Sequence, residues 1–118
     1  LRIVDTLMES TTRFIMNKEA SQDKWKRNKV DRLVLMLQGA MAANGRVGLM
    51  LNAPKDNLEA IIKTFPPEQK PTISELSDKD WVGVNVILEE KLVRDFVPDL
   101  KKAGAEDIVE YPLNKIIH

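Results

Sequence analysis

At 118 residues, 43% hydrophobic and 31% charged, the chain suffices for one ordinary domain, or one small domain plus a fragment. No apolar run approaches the roughly 20 residues of a membrane span, and a formal net charge of zero gives no bulk attraction to nucleic acid or membranes. The absence of cysteine excludes disulfides and thiolate metal sites, and fits a cytoplasmic setting.

Residues 1–9 and 12–17 are rich in apolar and β-branched side chains and suit two short strands. Two strands make no stable unit alone, so they call for a sheet. No charged n-region or apolar h-region precedes them, so no signal peptide is expected. A start at Leu1 rather than Met is what a piece of a longer chain would show.

A long helix is expected over 21–44, with Ser21 as N-cap and Asp23 in the first turn. Val30, Leu33, Val34, Leu37 and Met41 recur at three- and four-residue spacing, and Asn44-Gly45 is a stop signal. Residues 13–32 carry seven basic and three acidic side chains, a local +4. That stretch is either an anion-binding face or a solvated helix face; interleaved acids and a single aromatic, Trp25, favour the second.

From residue 46 the period changes to two. Val47, Leu49 and Leu51 alternate as in a half-buried strand over 46–52. Pro54 suits the first turn of a helix whose stripe is Leu58, Ile61, Ile62 and Phe65, ended by Pro66-Pro67. Residues 72–76 predict a short strand and 77–80 a turn. Residues 81–88 predict the clearest strand, with Val82, Val84, Val86 and Leu88 on one face and Trp81, Gly83, Asn85 and Ile87 on the other. A helix follows over 89–103, acidic at its start and basic at its end as the macrodipole favours. Pro98 predicts a kink or a break in its hydrogen-bond ladder. Gly104 caps it, a last strand spans 106–111, Pro112 ends that strand, and 114–118 form a final turn. The order is β-α-β-β-α-β, an α+β, ferredoxin-like antiparallel sheet with two helices on one face, preceded by two strands and a long helix. The other sheet face must meet solvent or an interface.

Little chemistry is legible. The one histidine, His118, is terminal, and no triad can form around it. Glu75, Asp78 and Asp80 could hold a hard cation, but their spacing matches a turn better than a calcium loop. There is no P-loop and no G-x-G-x-x-G. Thr72 could bond a ligand or its own backbone.

Several segments in order carry a family resemblance: Leu49 to Pro54 (LMLNAP), Lys70 to Leu76 (KPTISEL), Asp80 to Val82, Gly104 to Val109 (GAEDIV) and Pro112 to Ile116 (PLNKI). Together they resemble the C-terminal regulatory domain of long-form ATP phosphoribosyltransferase. Leu1 to Asp5 and Glu9 to Met16 look like the end of that family's catalytic region. The resemblance implies residues 1–44 as a catalytic-domain tail and connecting helix, and 45–118 as a regulatory domain. It implies the first step of histidine biosynthesis, in which phosphoribosyl is transferred to N1 of ATP with magnesium. Magnesium would serve the parent enzyme, with no cofactor in this chain, because the phosphoribosyl-binding loop would lie upstream of Leu1. Alone the chain would not catalyse. The resemblance further implies histidine as feedback effector, the rest of the catalytic domain as partner, and a hexamer, with no nucleic acid and no membrane partner. Effector contacts map onto Asn52, Thr72, Val86, Ile87 and Asp107, with backbone contacts at Asn52 and Asp107. The alternative is a ligand-free oligomerisation module of the same fold.

Overall fold

The computed structural model describes residues 1–118, which divide into two compact units, Leu1–Val34 and Leu35–His118.

In the first unit, residues 1–17 enter no helix or strand, and nearly all of them are exposed. The two strands expected there do not form. All four strands of the sheet are drawn from residues 46–112, so the N-terminal segment has no backbone partner within the chain. Helix α1 (Lys18–Gln22) is capped by Asn17, whose side chain accepts the Glu19 and Ala20 N–H groups at 2.8 and 3.4 Å. Helix α2 (Lys24–Ala43) starts later than expected. Asp23 is extended (φ −80°, ψ 115°), and its carboxylate accepts the Trp25 and Lys26 N–H groups at 2.9 and 3.1 Å. Asp23 is therefore the cap, and Ser21 instead donates its hydroxyl to Lys18 O at 2.6 Å. On the basic stretch, Arg27 pairs with Asp31 at 3.0 Å, and Lys29 sits 5.5 Å from the Trp25 ring centroid.

The apolar stripe of α2 is only half used. Val30, Val34 and Leu37 are half-buried, Leu33 and Met41 are exposed, and only Gly39 and Ala43 are buried.

The second unit holds the sheet. Strands β1 (Arg46–Pro54), β2 (Thr72–Glu75), β3 (Trp81–Glu89) and β4 (Glu106–Pro112) pair antiparallel throughout, in the order β2-β3-β1-β4. Helices α3 (Leu58–Thr64) and α4 (Glu90–Lys102) cover one face, which is the ferredoxin-like arrangement. The register explains the core. Leu49 lies opposite Val86 and Leu51 opposite Val84, so the apolar sets of β1 and β3 share a face. Ile61 from α3, Phe65 just past its end, and Val93 and Leu100 from α4 close over them.

Pro54 ends β1 rather than opening a helix. Its backbone is extended (φ −61°, ψ 135°), and a one-turn 3₁₀ segment, Lys55–Asn57, intervenes before α3. Proline's fixed φ suits a strand end as well as a first helical turn. The Lys55 N–H donates to Asp80 O at 2.9 Å, tying this corner to the β2–β3 turn.

Helix α4 runs on through Pro98, which faces solvent. The missing N–H leaves the Arg94 carbonyl without its helical partner, on an exposed side where water can replace it. The helix closes in a Schellman motif: the Ala105 N–H reaches Leu100 O at 3.0 Å, the Gly104 N–H reaches Lys101 O at 3.1 Å, and Gly104 takes φ 93°.

No turn forms over 114–118. The segment runs back along α2 instead, where the Ile116 N–H donates to Gly39 O at 2.9 Å. A Cβ on Gly39 would overlap the Ile117 side chain, so glycine permits this contact. No helix is long and apolar enough to cross a membrane.

Candidate functional site

The face of the sheet away from the helices carries the even-numbered residues of β1 and the odd-numbered residues of β3. Gly48 lies on this face yet is buried, because the only tyrosine covers it. Tyr111, opposite Gly48 in the β1–β4 register, lays its ring where a Cβ on Gly48 would stand. The ring so crosses β1, and its hydroxyl donates to Asn85 Oδ1 on β3 at 2.9 Å.

Beyond Asn85 lies edge strand β2, which pairs with β3 only from Thr72 to Glu75. Thr72 is the direct cross-strand partner of Asn85, so the two side chains share the open face. Past this pair β3 continues to Glu89 with β1 on one side and no strand on the other. Alternate residues there turn unpaired N–H and C=O groups outward. The result is a depression of about 360 Å³ lined by Gln69, Lys70, Thr72, Asn85, Ile87 and Tyr111, with Val86 also contributing.

Three of the five expected site residues therefore meet in one place: Thr72, Val86 and Ile87. The Val86 side chain is buried in the core on the opposite face, so its backbone is what lines the depression. Ile87 points outward and is 38% exposed. The other two, Asn52 and Asp107, lie outside the depression and form a pair of their own. Asn52 Nδ2 donates to Asp107 Oδ2 at 2.9 Å. Asp107 sits at a shift in the β1–β4 register and takes φ 49°, a left-handed conformation that Asp tolerates better than most residues.

The Asp78–Asp80 segment is a turn. Asp78 Oδ1 accepts the Asp80 N–H at 2.9 Å, and Asp78 O accepts the Trp81 N–H at 3.3 Å. His118 lies in the tail beside Gly39 and is not among the residues that line the depression.

The sequence marks neither Asn85 nor Tyr111 as a ligand contact. A polar Asn in the middle of β3's apolar run was the available signal. Its partner stands 26 residues away on another strand, and no local pattern joins them.

The family model described as "HisG, C-terminal domain" matches residues 43–115. The chain belongs to this family. The matched span takes in the whole sheet, both covering helices and every residue that lines the depression. Among curated relatives, a protein named ATP phosphoribosyltransferase from Pelotomaculum thermopropionicum is 53% identical over 117 residues. Proteins of the same name from Solibacter usitatus and Chlorobaculum parvum are 54% and 50% identical over the same length. Each match covers 99% of this chain but 40% of the relative. The chain thus spans about two-fifths of the length of the curated relatives it matches.

Proposed function

We propose that the chain is the regulatory part of an ATP phosphoribosyltransferase, the enzyme that opens histidine biosynthesis, and that it binds histidine as a feedback effector. On this reading, residues 45–118 are the effector domain, and 1–44 are the tail of a catalytic domain with its connecting helix. The phosphoribosyl transfer to ATP, and the magnesium that supports it, belong to the rest of the enzyme, in the cytoplasm.

The observation that carries the proposal is the depression at the β2–β3 edge. A zwitterionic amino acid needs donors for its carboxylate and acceptors for its ammonium group. The Asn85 amide, the Thr72 hydroxyl and Lys70 supply donors, and outward carbonyls of β3 beyond Asn85 supply acceptors. Ile87 offers an apolar surface to a ring. Asn52 and Asp107 share the open face but lie apart, so they enter as backbone contacts to an effector held between two copies of the chain, within a hexamer.

Histidine titrated into the 118-residue chain tests this. A specific ligand at a hundredfold excess over Kd stabilises by about 2.7 kcal/mol. That corresponds to a Tm rise of about 10 °C for a domain of this size. Thr72→Val should reduce the rise while leaving the unliganded Tm close to wild type. No rise with histidine in a folded, associated sample would remove the proposal.

One observation favours the second reading, a ligand-free oligomerisation module. Met50 and Val109 face each other on the open face at 48% and 49% exposure, with Ile87 nearby. Association through this row, unchanged by histidine when followed by sedimentation, is what that reading requires.

A further inference from the structure

We infer that Tyr111 is a positioning residue that fixes the Asn85 amide with its N–H donors turned toward Thr72, making the depression selective for the carboxylate end of its ligand. The inference rests on the effector reading given above and adds to it the groups that set specificity.

An asparagine side chain can present either its oxygen or its NH₂ group to a given side, and the two choices recognise opposite ligand groups. Here the choice is made by Tyr111. Its ring reaches from β4 across β1, which only the missing Cβ of Gly48 allows. Its hydroxyl donates to Asn85 Oδ1 at 2.9 Å. The amide oxygen is thereby directed toward β1. The amide nitrogen lies on the opposite side of the same planar group, toward β2. There the direct neighbour is Thr72, whose hydroxyl can both donate and accept.

The amide N–H groups make no hydrogen bond within the chain, and neither does the Thr72 hydroxyl. Two unengaged donor groups stand side by side at the floor of an open depression. No carboxylate lines it, so nothing competes with an incoming anion. Lys70 adds positive charge at the rim, but on an exposed stem with no fixed partner, so it attracts without orienting. These side chains read the carboxylate, and the ammonium group is left to the outward carbonyls of β3.

The test compares histidine with histamine, which keeps the imidazole and the amine but lacks the carboxylate. Binding to wild type, Tyr111→Phe and Asn85→Asp is measured by calorimetry. Wild type should prefer histidine over histamine. Asn85→Asp keeps an acceptor for Tyr111 but replaces the donors with negative charge. It should weaken histidine at least tenfold and leave histamine no weaker, so that the preference disappears. Tyr111→Phe keeps the ring over Gly48 and loses only the hydroxyl; it should weaken histidine about fivefold, the effect of one neutral hydrogen bond. Thermal unfolding of both unliganded variants separates loss of binding from loss of fold. If wild type binds histidine and both variants keep the wild-type ratio, Tyr111 and Asn85 do not set specificity and the effector reading stands without them. If wild type binds neither compound, the effector reading and this inference fail together.

Discussion

Gly48→Ala is the most direct perturbation of the open face. Its sign depends on a single neighbour. Gly48 has no unusual backbone angle, so alanine is sterically allowed by the strand itself. In a strand interior, alanine for glycine is worth about 0.5–1 kcal/mol in favour of folding. Against that stands the Tyr111 ring, which occupies the space of the new methyl group. Forcing a packed side chain aside costs about 1–3 kcal/mol. Losing the Tyr111–Asn85 hydrogen bond costs about 1 kcal/mol more. The net expectation is a loss of about 2 kcal/mol, read as a fall of about 1 M in the urea midpoint. In a Tyr111→Ala background the obstruction is gone and only the strand term remains, so Gly48→Ala should stabilise by about 0.5–1 kcal/mol. The double-mutant cycle therefore predicts a change of sign, with a coupling of about 3 kcal/mol. Equal destabilisation in both backgrounds would show that Tyr111 does not rest on Gly48 and does not reach Asn85 by crossing it.

Gly39→Ala sets helix propensity against the C-terminal tail. Alanine favours α2 by about 1 kcal/mol, but its methyl group displaces Ile117 and with it the Ile116–Gly39 hydrogen bond. Hydrogen exchange should show the Ile116 amide losing protection while the urea midpoint holds or rises; retained protection at Ile116 would contradict the contact. Asp23→Ala removes the cap of α2 and should cost the first turn about 1 kcal/mol, whereas Asp23→Asn should cost little. Faster exchange at the Trp25 and Lys26 amides in the alanine variant alone is the expected pattern, and an equal effect of Ser21→Ala would return the cap to Ser21.

The legible and illegible parts of this chain divide by range. Val82, Val84, Val86 and Leu88 announce a strand because alternation is a property of neighbours. Glu90, Lys101 and Lys102 announce the two ends of α4 for the same reason. The β-α-β-β-α-β order then leaves few topologies, and the ferredoxin-like sheet follows. Residues 1–17 have strand-like composition, but composition carries no partner, and these residues find none within the chain. Ser21 and Asp23 are both acceptable caps from local chemistry, and extended geometry at Asp23 decides between them. The tail could be read only as an end, since its docking depends on Gly39, nearly eighty residues earlier. At the site, Thr72, Val86 and Ile87 came from family resemblance, and the alternation of β3 adds only that Val86 and Ile87 point to opposite faces. The Tyr111–Asn85 bond joins two strands across a third, and nothing in either local sequence encodes it.

That opposition of faces separates stability from ligand binding at adjacent residues. Val86 is 4% exposed and packs in the core, whereas Ile87 is 38% exposed and borders the depression. Val86→Ala removes two buried methyl groups and leaves a small cavity, for a loss of about 2 kcal/mol. It leaves the backbone that lines the depression chemically unchanged. Ile87→Ala removes surface contact only and should cost well under about 1 kcal/mol, yet it strips the apolar wall against which a ring would lie. The expected result is a crossed pattern: a lowered Tm with near-wild-type histidine affinity for Val86→Ala, and a near-wild-type Tm with weakened affinity for Ile87→Ala. Parallel losses of both quantities in both variants would mean that the open face is itself part of the folding core. The sheet would then be closed by a partner on its second side, and the oligomerisation reading would gain what the effector reading lost.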